Sequence, residues 1–225
     1  MNEFFETLYI TFKLAFFTTV ILFLLGLPVA YFLAYSKLKI KPLLETVLSL
    51  PLVLPPTVLG FYLILLFNPD NFLGKIINEL FGIKLVFTFE GLVVASVIYS
   101  FPFMVQPLQS GFLSIPESII EASYTLGKSK LETLIKVILP NMKASLITGI
   151  VLTFAHTIGE FGVVLMVGGS IPGETRVASI AIYEEVESLN YTQAHKYSII
   201  LVLIAFLVLL IVHSLNKKLN QVNRL

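Results

Sequence analysis

The 225-residue sequence has no cysteine, only three histidines and little charge of either sign. Without cysteine there is no disulfide framework, thiolate metal site or cysteine nucleophile, and the redox compartment is unreadable. Charged residues make up 13% of the chain and hydrophobic ones 56%, whereas a soluble domain carries about 25% charged residues. Too little polar surface remains to cover a water-soluble globule. A net charge of +1 offers no basic field for phosphates, which excludes a nucleic-acid partner. The composition equally excludes a disordered chain or a coiled coil. What remains is an integral membrane protein.

The apolar residues fall into runs long enough to span a bilayer, which takes about 20 residues as helix. Charge-free runs of 23, 24, 26 and 20 residues occupy 14–36, 46–69, 91–116 and 197–216. A run of 16 at 144–159 is continued by 161–168 after the single Glu160. None is amphipathic, so each suits a span rather than a surface helix. Five spans are expected. Residues 1–13, with Phe4, Phe5, Leu8, Tyr9 and Phe12 at near-helical spacing, lie at the interface, pack beside the bundle or add a sixth. Glu3 and Glu6 precede the first run where a signal peptide would be basic.

Lysine and arginine set the orientation. With the N-terminus outside, the inner segments hold ten basic residues and four acids, a balance of +6. The outer segments, Glu160 included, hold five and ten, a balance of −5. The C-terminus is then cytoplasmic. The outer segment 68–90 carries a short amphipathic pattern (Phe72, Ile76, Ile77, Leu80, Phe81) suited to the interface. The outer segment 168–196 opens on the breakers Gly168, Gly169, Pro172 and Gly173.

The inner loop 114–140 is sharply punctuated. Ser114 with Glu117 matches a capping box, with Pro116 in the first turn. Gly127 is a left-handed stop, Ser129 with Glu132 a second capping box, and Pro140 a terminator or new start. Two short helices joined at a glycine are expected, which by itself suits a plain connector. The residues, however, resemble something specific. Glu121-Ala122-Ser123, then Gly127, then Val137-Ile138-Leu139-Pro140 resemble the EAA signature of binding-protein-dependent ABC importer permeases, with Ser for the second Ala and Val for Ile. The resemblance implies an all-α type I permease core over 1–225 as one domain, with 114–140 as the loop that docks into a cytoplasmic ATPase. Ala122 and Ser123 would allow close packing, Gly127 would set the bend, and Glu121 would pair with a basic ATPase residue or cap the adjoining helix.

Further pieces are similar to molybdate-transport permeases: 50–60 (L-P-L-V-L-P-P-T-V-L-G), Ser100-Phe101-Pro102, Gly159-Glu160-Phe161-Gly162, and 170–176 (S-I-P-G-E-T-R). The G-E-F-G piece is shared with sulfate permeases, and tungstate is not separable from molybdate. Pro51, Pro55 and Pro56 must kink or break the second span, either for packing or because it lines a path. Pro55, Pro56, Thr57, Gly159, Glu160, Phe161 and Gly162 are therefore pathway or gate candidates. Pro172, Gly173, Glu174 and Arg176 are outer-loop candidates. No Lys or Arg lies near the centre of a span, so backbone groups would guide an anion. His156 and Glu160 lie one turn apart, and an ionisable residue at membrane depth is a functional candidate. A carboxylate in an anion path repels the ion, so Glu160 is expected to act in structure or gating, paired with Arg176. Gly26 and Pro28 read as a packing kink. The three histidines do not make a metal site.

The chain has no G-x-x-x-x-G-K-[S/T] phosphate loop, so ATP and Mg would bind a separate ATPase and this subunit would hold no cofactor and no catalytic residue. The implied assembly is a homodimer around one path in the cell membrane, with two cytoplasmic ATPase subunits and an extracytoplasmic oxyanion-binding protein. It would work by alternating access. The rivals are a tungstate or sulfate permease and, in another class, a stand-alone anion channel or secondary transporter.

Overall fold

A computed structural model describes residues 3–222, and all regular structure among them is helical. Among the described residues three helices are long and apolar enough to cross a membrane, or up to five if each of two bent helix pairs is one span. The first, α1 (Glu3–Tyr35), has 33 residues, a length of about 50 Å. That exceeds the roughly 30 Å hydrocarbon core, so the N-terminal segment is the outward continuation of the first span. It is not a separate sixth span, and Phe4 and Leu8 pack beside Tyr197 of the last helix. Gly26 serves packing: a Cβ there would lie 3.0 Å from Met104 Cγ. The helix runs unbroken through Pro28.

The second span is α2 (Lys41–Ser49), a single 3-10 turn (Leu50–Leu52) and α3 (Pro56–Phe67), bent by 108°. The cause is local. Pro55 and Pro56 donate no backbone hydrogen bond, and a residue before proline avoids the helical region; Pro55 accordingly has ψ 134°. Outside follow the amphipathic α4 (Phe72–Phe81), on which Phe72 and Leu80 are largely exposed, and the third span, α5 (Phe89–Leu113). α5 sits centrally, packed on α1 and on α9 (Lys143–Gly159).

Sequence reading treats 144–168 as one run past Glu160, but the helix breaks there. α9 ends at Gly159, Glu160 turns extended at ψ 130°, and α10 (Gly162–Gly168) restarts beyond Phe161. α11 (Ala178–Glu187) and the last span, α12 (Tyr191–Val222), complete the chain. α11 is tied to the first span where the Thr11 hydroxyl accepts from the Ala178 N–H at 2.8 Å.

The inner loop forms α6 (Glu117–Thr125), then α7 (Lys130–Thr133), a π turn (Leu134–Ile138) and α8 (Leu139–Asn141). Pro140 lies at the start of α8, and the path bends by 75° between Lys130–Asn141 and α9. The first expected capping box does not form. Ser114 still belongs to the last turn of α5, where its hydroxyl donates to Gly111 O at 2.7 Å. Pro116 takes the cap position of α6 with ψ 133°, one residue before the first turn expected for it.

Candidate functional site: a cytoplasmic loop and a seam of broken spans

The loop is held by three devices. α6 ends in a Schellman turn, with Gly127 at φ +79°. The Gly127 N–H donates to Tyr124 O and the Lys128 N–H to Ser123 O, at 2.9 and 3.1 Å; this is the double bond that a left-handed C-terminal residue permits. α7 opens with the expected capping box: Ser129 Oγ accepts from the Glu132 N–H at 3.2 Å while the Glu132 carboxylate accepts from the Ser129 N–H. Between the helices, the buried Ser123 and Thr133 hydroxyls bond at 2.9 Å. A larger residue at Ser123 would force α6 off α7.

The other loop candidates divide. Leu139 is half-buried against the main core, whereas Ala122 and Pro140 are exposed. Glu121 is exposed, forms no ion pair among the described residues and does not cap α7, a task Ser129 performs. It lines a groove of about 840 Å³ with Tyr31, Tyr35, Phe112 and Tyr124. The tip shows two residues that sequence reasoning missed: Leu126 and Leu131 are 80% and 65% exposed. Apolar side chains flanking a capped glycine turn in a charged loop were the available signal, because exposed apolar patches mark contact surfaces.

At the outer end, the breaks of the second and fourth spans meet. A Cβ on Gly162 would lie 2.7 Å from Pro56 Cβ, and one on Gly60 2.7 Å from Met166 Cβ. The two glycines are thus what lets α3 and α10 touch. Beside this seam lies a cavity of about 500 Å³, lined by Pro56, Thr57, Tyr99, His156, Gly159 and Glu160 among others. Phe161 and Gly162 complete its rim, and Pro55 sits exposed at the break. Sequence reasoning named the two breaks separately; the structure brings them to one place.

A second cavity of about 570 Å³ lies toward the inner end, between Leu52, Gln106, Ser110, Ser145 and Thr148. Tyr99, Phe103, Gln106 and Ser110 recur every three or four residues along α5, as do Ser145, Thr148, Leu152, His156 and Gly159 along α9. Both cavities therefore open on one face of the α5–α9 pair. That face bears polar groups at membrane depth. Sequence reasoning missed Gln106, Ser110, Ser145 and Thr148, whose spacing inside apolar runs was the clue.

Glu160 and Arg176 do not pair. Arg176 is buried and takes Glu3, Glu184 at 2.8 Å and Glu185 at 3.8 Å. These acids lie at the start of α1 and on α11, so the guanidinium clasps the N-terminus to the outer loop. Thr175, fully buried, accepts from the Ile171 N–H at 3.0 Å and donates to Gly168 O at 2.7 Å. Pro172, Gly173 and Glu174 form the exposed turn around it. Glu160 is 4% exposed, and both its carboxylate oxygens lack a hydrogen bond among the described residues.

Residues 12–222 match the family of binding-protein-dependent transport system inner membrane components. The chain belongs to this family, and is thus a multi-pass inner-membrane transport component. It is 46% identical over 205 residues to the molybdenum transport system permease protein ModB of Azotobacter vinelandii, covering 91% of each chain. It is 36% identical over 213 residues to the putative molybdenum transport system permease protein YvgM of Bacillus subtilis, covering 95% of this chain and 94% of that one. Against the sulfate transport system permease protein CysT of Salmonella typhimurium it is 31% identical, over 87% of this chain and 70% of that one. The fold is that of ABC importer permeases. A bacterial ABC transporter that imports alginate superposes with a TM-score of 0.78 at 13% identity, over 97% of this chain and 80% of that one. The MetNI methionine transporter superposes with a TM-score of 0.69 at 20% identity, over 97% and 94%.

Proposed function

We propose that this chain is the transmembrane subunit of an ATP-driven importer that moves molybdate into the cell. The observation that carries the substrate is the likeness to two molybdenum permeases over more than nine-tenths of the chain. The capped, rigid loop 114–140 with its exposed Leu126 and Leu131 supports an ATPase-driven machine rather than a free-standing channel. In this reading Glu121, Ala122, Ser123, Gly127, Leu139 and Pro140 form the element that engages the ATPase. Ala122, exposed and small, lets the ATPase approach α6 closely, while Ser123 and Gly127 hold the loop's shape.

Two copies of the chain pair across the polar face of α5 and α9. Five spans do not enclose a path for a hydrated dianion, whereas two such faces do. Pro55, Pro56, Thr57, Gly159, Glu160, Phe161 and Gly162 form its outer constriction. Pro172, Gly173 and Glu174 are presented to an extracytoplasmic oxyanion-binding protein, with Arg176 fixing the loop from beneath. ATP and Mg²⁺ bind two cytoplasmic ATPase subunits, and this subunit holds no cofactor. Their closure draws the two loops together as rigid bodies and opens the path outward; hydrolysis resets it.

The test is ATP hydrolysis by the assembled transporter with its binding protein, comparing molybdate, tungstate and sulfate at equal concentration. Stimulation by molybdate and by tungstate of nearly the same size, without sulfate, is the expected result. Stimulation by sulfate alone would reassign the substrate, and passive oxyanion flux through this subunit without an ATPase would discard the importer.

A further inference from the structure

The cavity at the seam contains a histidine whose tautomer the surrounding hydrogen bonds dictate. Thr157 Oγ1 donates to the backbone oxygen of Thr153 at 2.9 Å. A carbonyl only accepts, so this bond uses the single proton of the Thr157 hydroxyl. Ser100 Oγ, 3.1 Å from Thr157 Oγ1, must then be the donor in that pair. With its own proton spent, Ser100 accepts from His156 Nδ1 at 2.9 Å. The chain of donors runs one way and places the imidazole proton on Nδ1. The remaining nitrogen, Nε2, bonds to no described residue and in the neutral ring carries a lone pair.

The ring itself is rigidly placed. It stacks on Phe103 at 3.9 Å between centroids and lies 4.8 Å from Tyr99. The ionisable groups sharing the cavity are Tyr99 from α5 and Glu160 just beyond α9. α3 and the start of α10 contribute Pro56, Thr57 and Gly162, and no Lys or Arg lines it. Thr57 adds a neutral hydroxyl at the first turn of α3, and the deeply buried carboxyl of Glu160 has the Ser96 hydroxyl of α5 nearby.

A neutral His156 would offer an oxyanion a lone pair, which repels it; only a proton on Nε2 makes the ring a donor. We infer that His156 is a proton-gated contact for a tetrahedral oxyanion in the outer half of the path, taking a proton from water onto Nε2 as the ion arrives and returning it as the ion leaves. Ser100 and Thr157 are positioning residues that hold Nδ1–H and aim Nε2 at the ion. This rests on the proposed oxyanion transport and names the group in this chain that meets the ion.

Two measurements on the assembled transporter test it. The first is the ¹⁵N spectrum of histidine-labelled permease in lipid bilayers, with the His156 signals assigned by their loss in His156→Gln. The neutral Nδ1–H tautomer is expected without molybdate and the doubly protonated ring with molybdate bound. A neutral Nε2–H ring, or a spectrum indifferent to molybdate, overturns the inference. The second is molybdate uptake from pH 6 to 8.5, expressed as the ratio of wild type to His156→Gln so that titration in the partner subunits cancels. The ratio should fall on the alkaline side by up to about tenfold per pH unit, the limit for one required proton. A flat ratio with vigorous wild-type uptake overturns the inference alone, whereas no wild-type uptake of molybdate overturns the transport reading beneath it.

Discussion

Single residues set the closest contacts in this protein, and two glycines illustrate how differently they do so. Gly127 is needed for its backbone: at φ +79° a side chain is strained even though a Cβ there would meet nothing within 4 Å. Gly162 is needed for space, since its missing Cβ is what admits Pro56. Gly162→Ala should therefore cost about 1–3 kcal/mol through overpacking, lowering the Tm of the purified protein and abolishing uptake while leaving assembly with the ATPase intact. Unchanged uptake in this variant would mean that the seam is not part of the path. The role of Gly127 was legible in the sequence because the Schellman turn is built within six residues. That of Gly162 was only half legible: its break could be seen, but not the proline against which it rests, which lies over 100 residues earlier. The expected Glu160–Arg176 pair failed for the same reason. Arg176 has three other acids within reach, and sequence alone does not say which the fold brings near.

At the scale of elements, the inner loop was read most fully and the spans least. Capping boxes and glycine stops are local, so α6 and α7 were found with their correct junction. The error at Ser114 arose because a serine at the end of one helix and before another satisfies either. Here it closes α5, since its hydroxyl finds Gly111 O in the helix already formed. Ser129→Ala should cost about 1 kcal/mol of local stability, read as faster hydrogen exchange over 131–133. The same turn responds to pH. The hydrogen bond from Lys136, then the Ser129 N–H and the charges of Lys128 and Lys136, hold the Glu132 carboxyl below its ordinary range. A carboxyl lowered in the folded state stabilises above its unfolded pKa, and that contribution is lost as pH falls through about 4 toward the lowered value. Protection of this turn should thus decline on acidification, and Glu132→Gln should remove the dependence; equal decline in both would contradict it. The spans read as apolar runs, and only the prolines of the second announced its bend. The break at Glu160 was hidden because apolar residues continue on both sides of it.

Across the whole molecule, two ends are braced and the middle is left polar. Outside, Arg176 joins the start of α1 to α11; inside, the paired helices of the loop join α5 to α9. Arg176→Ala should lose about 1.5–3 kcal/mol, the range for hydrogen bonds to charged groups. The loss should appear as faster exchange at residues 3–11 without change in the cytoplasmic loop, and a loss spread evenly over both would contradict the clasp. Between the braces, one face of α5 and α9 carries the two cavities, so in the proposed mechanism a movement imposed at the loop would reach them through these two helices. That arrangement was legible in outline from charge counting and the loop signature. The shared face was not, because it depends on which sides of α5 and α9 the fold leaves open.

The most direct measurement of this account is ATP hydrolysis by the reconstituted transporter on addition of molybdate-loaded binding protein, in wild type and in Glu121→Lys. Glu121 is exposed and makes no ion pair within its chain among the described residues, so the variant leaves this subunit's fold undisturbed. The account predicts severalfold stimulation in the wild type and none in the variant, although the variant still inserts and folds. Equal stimulation in both would contradict the claim that the loop 114–140 is where the ATPase takes hold.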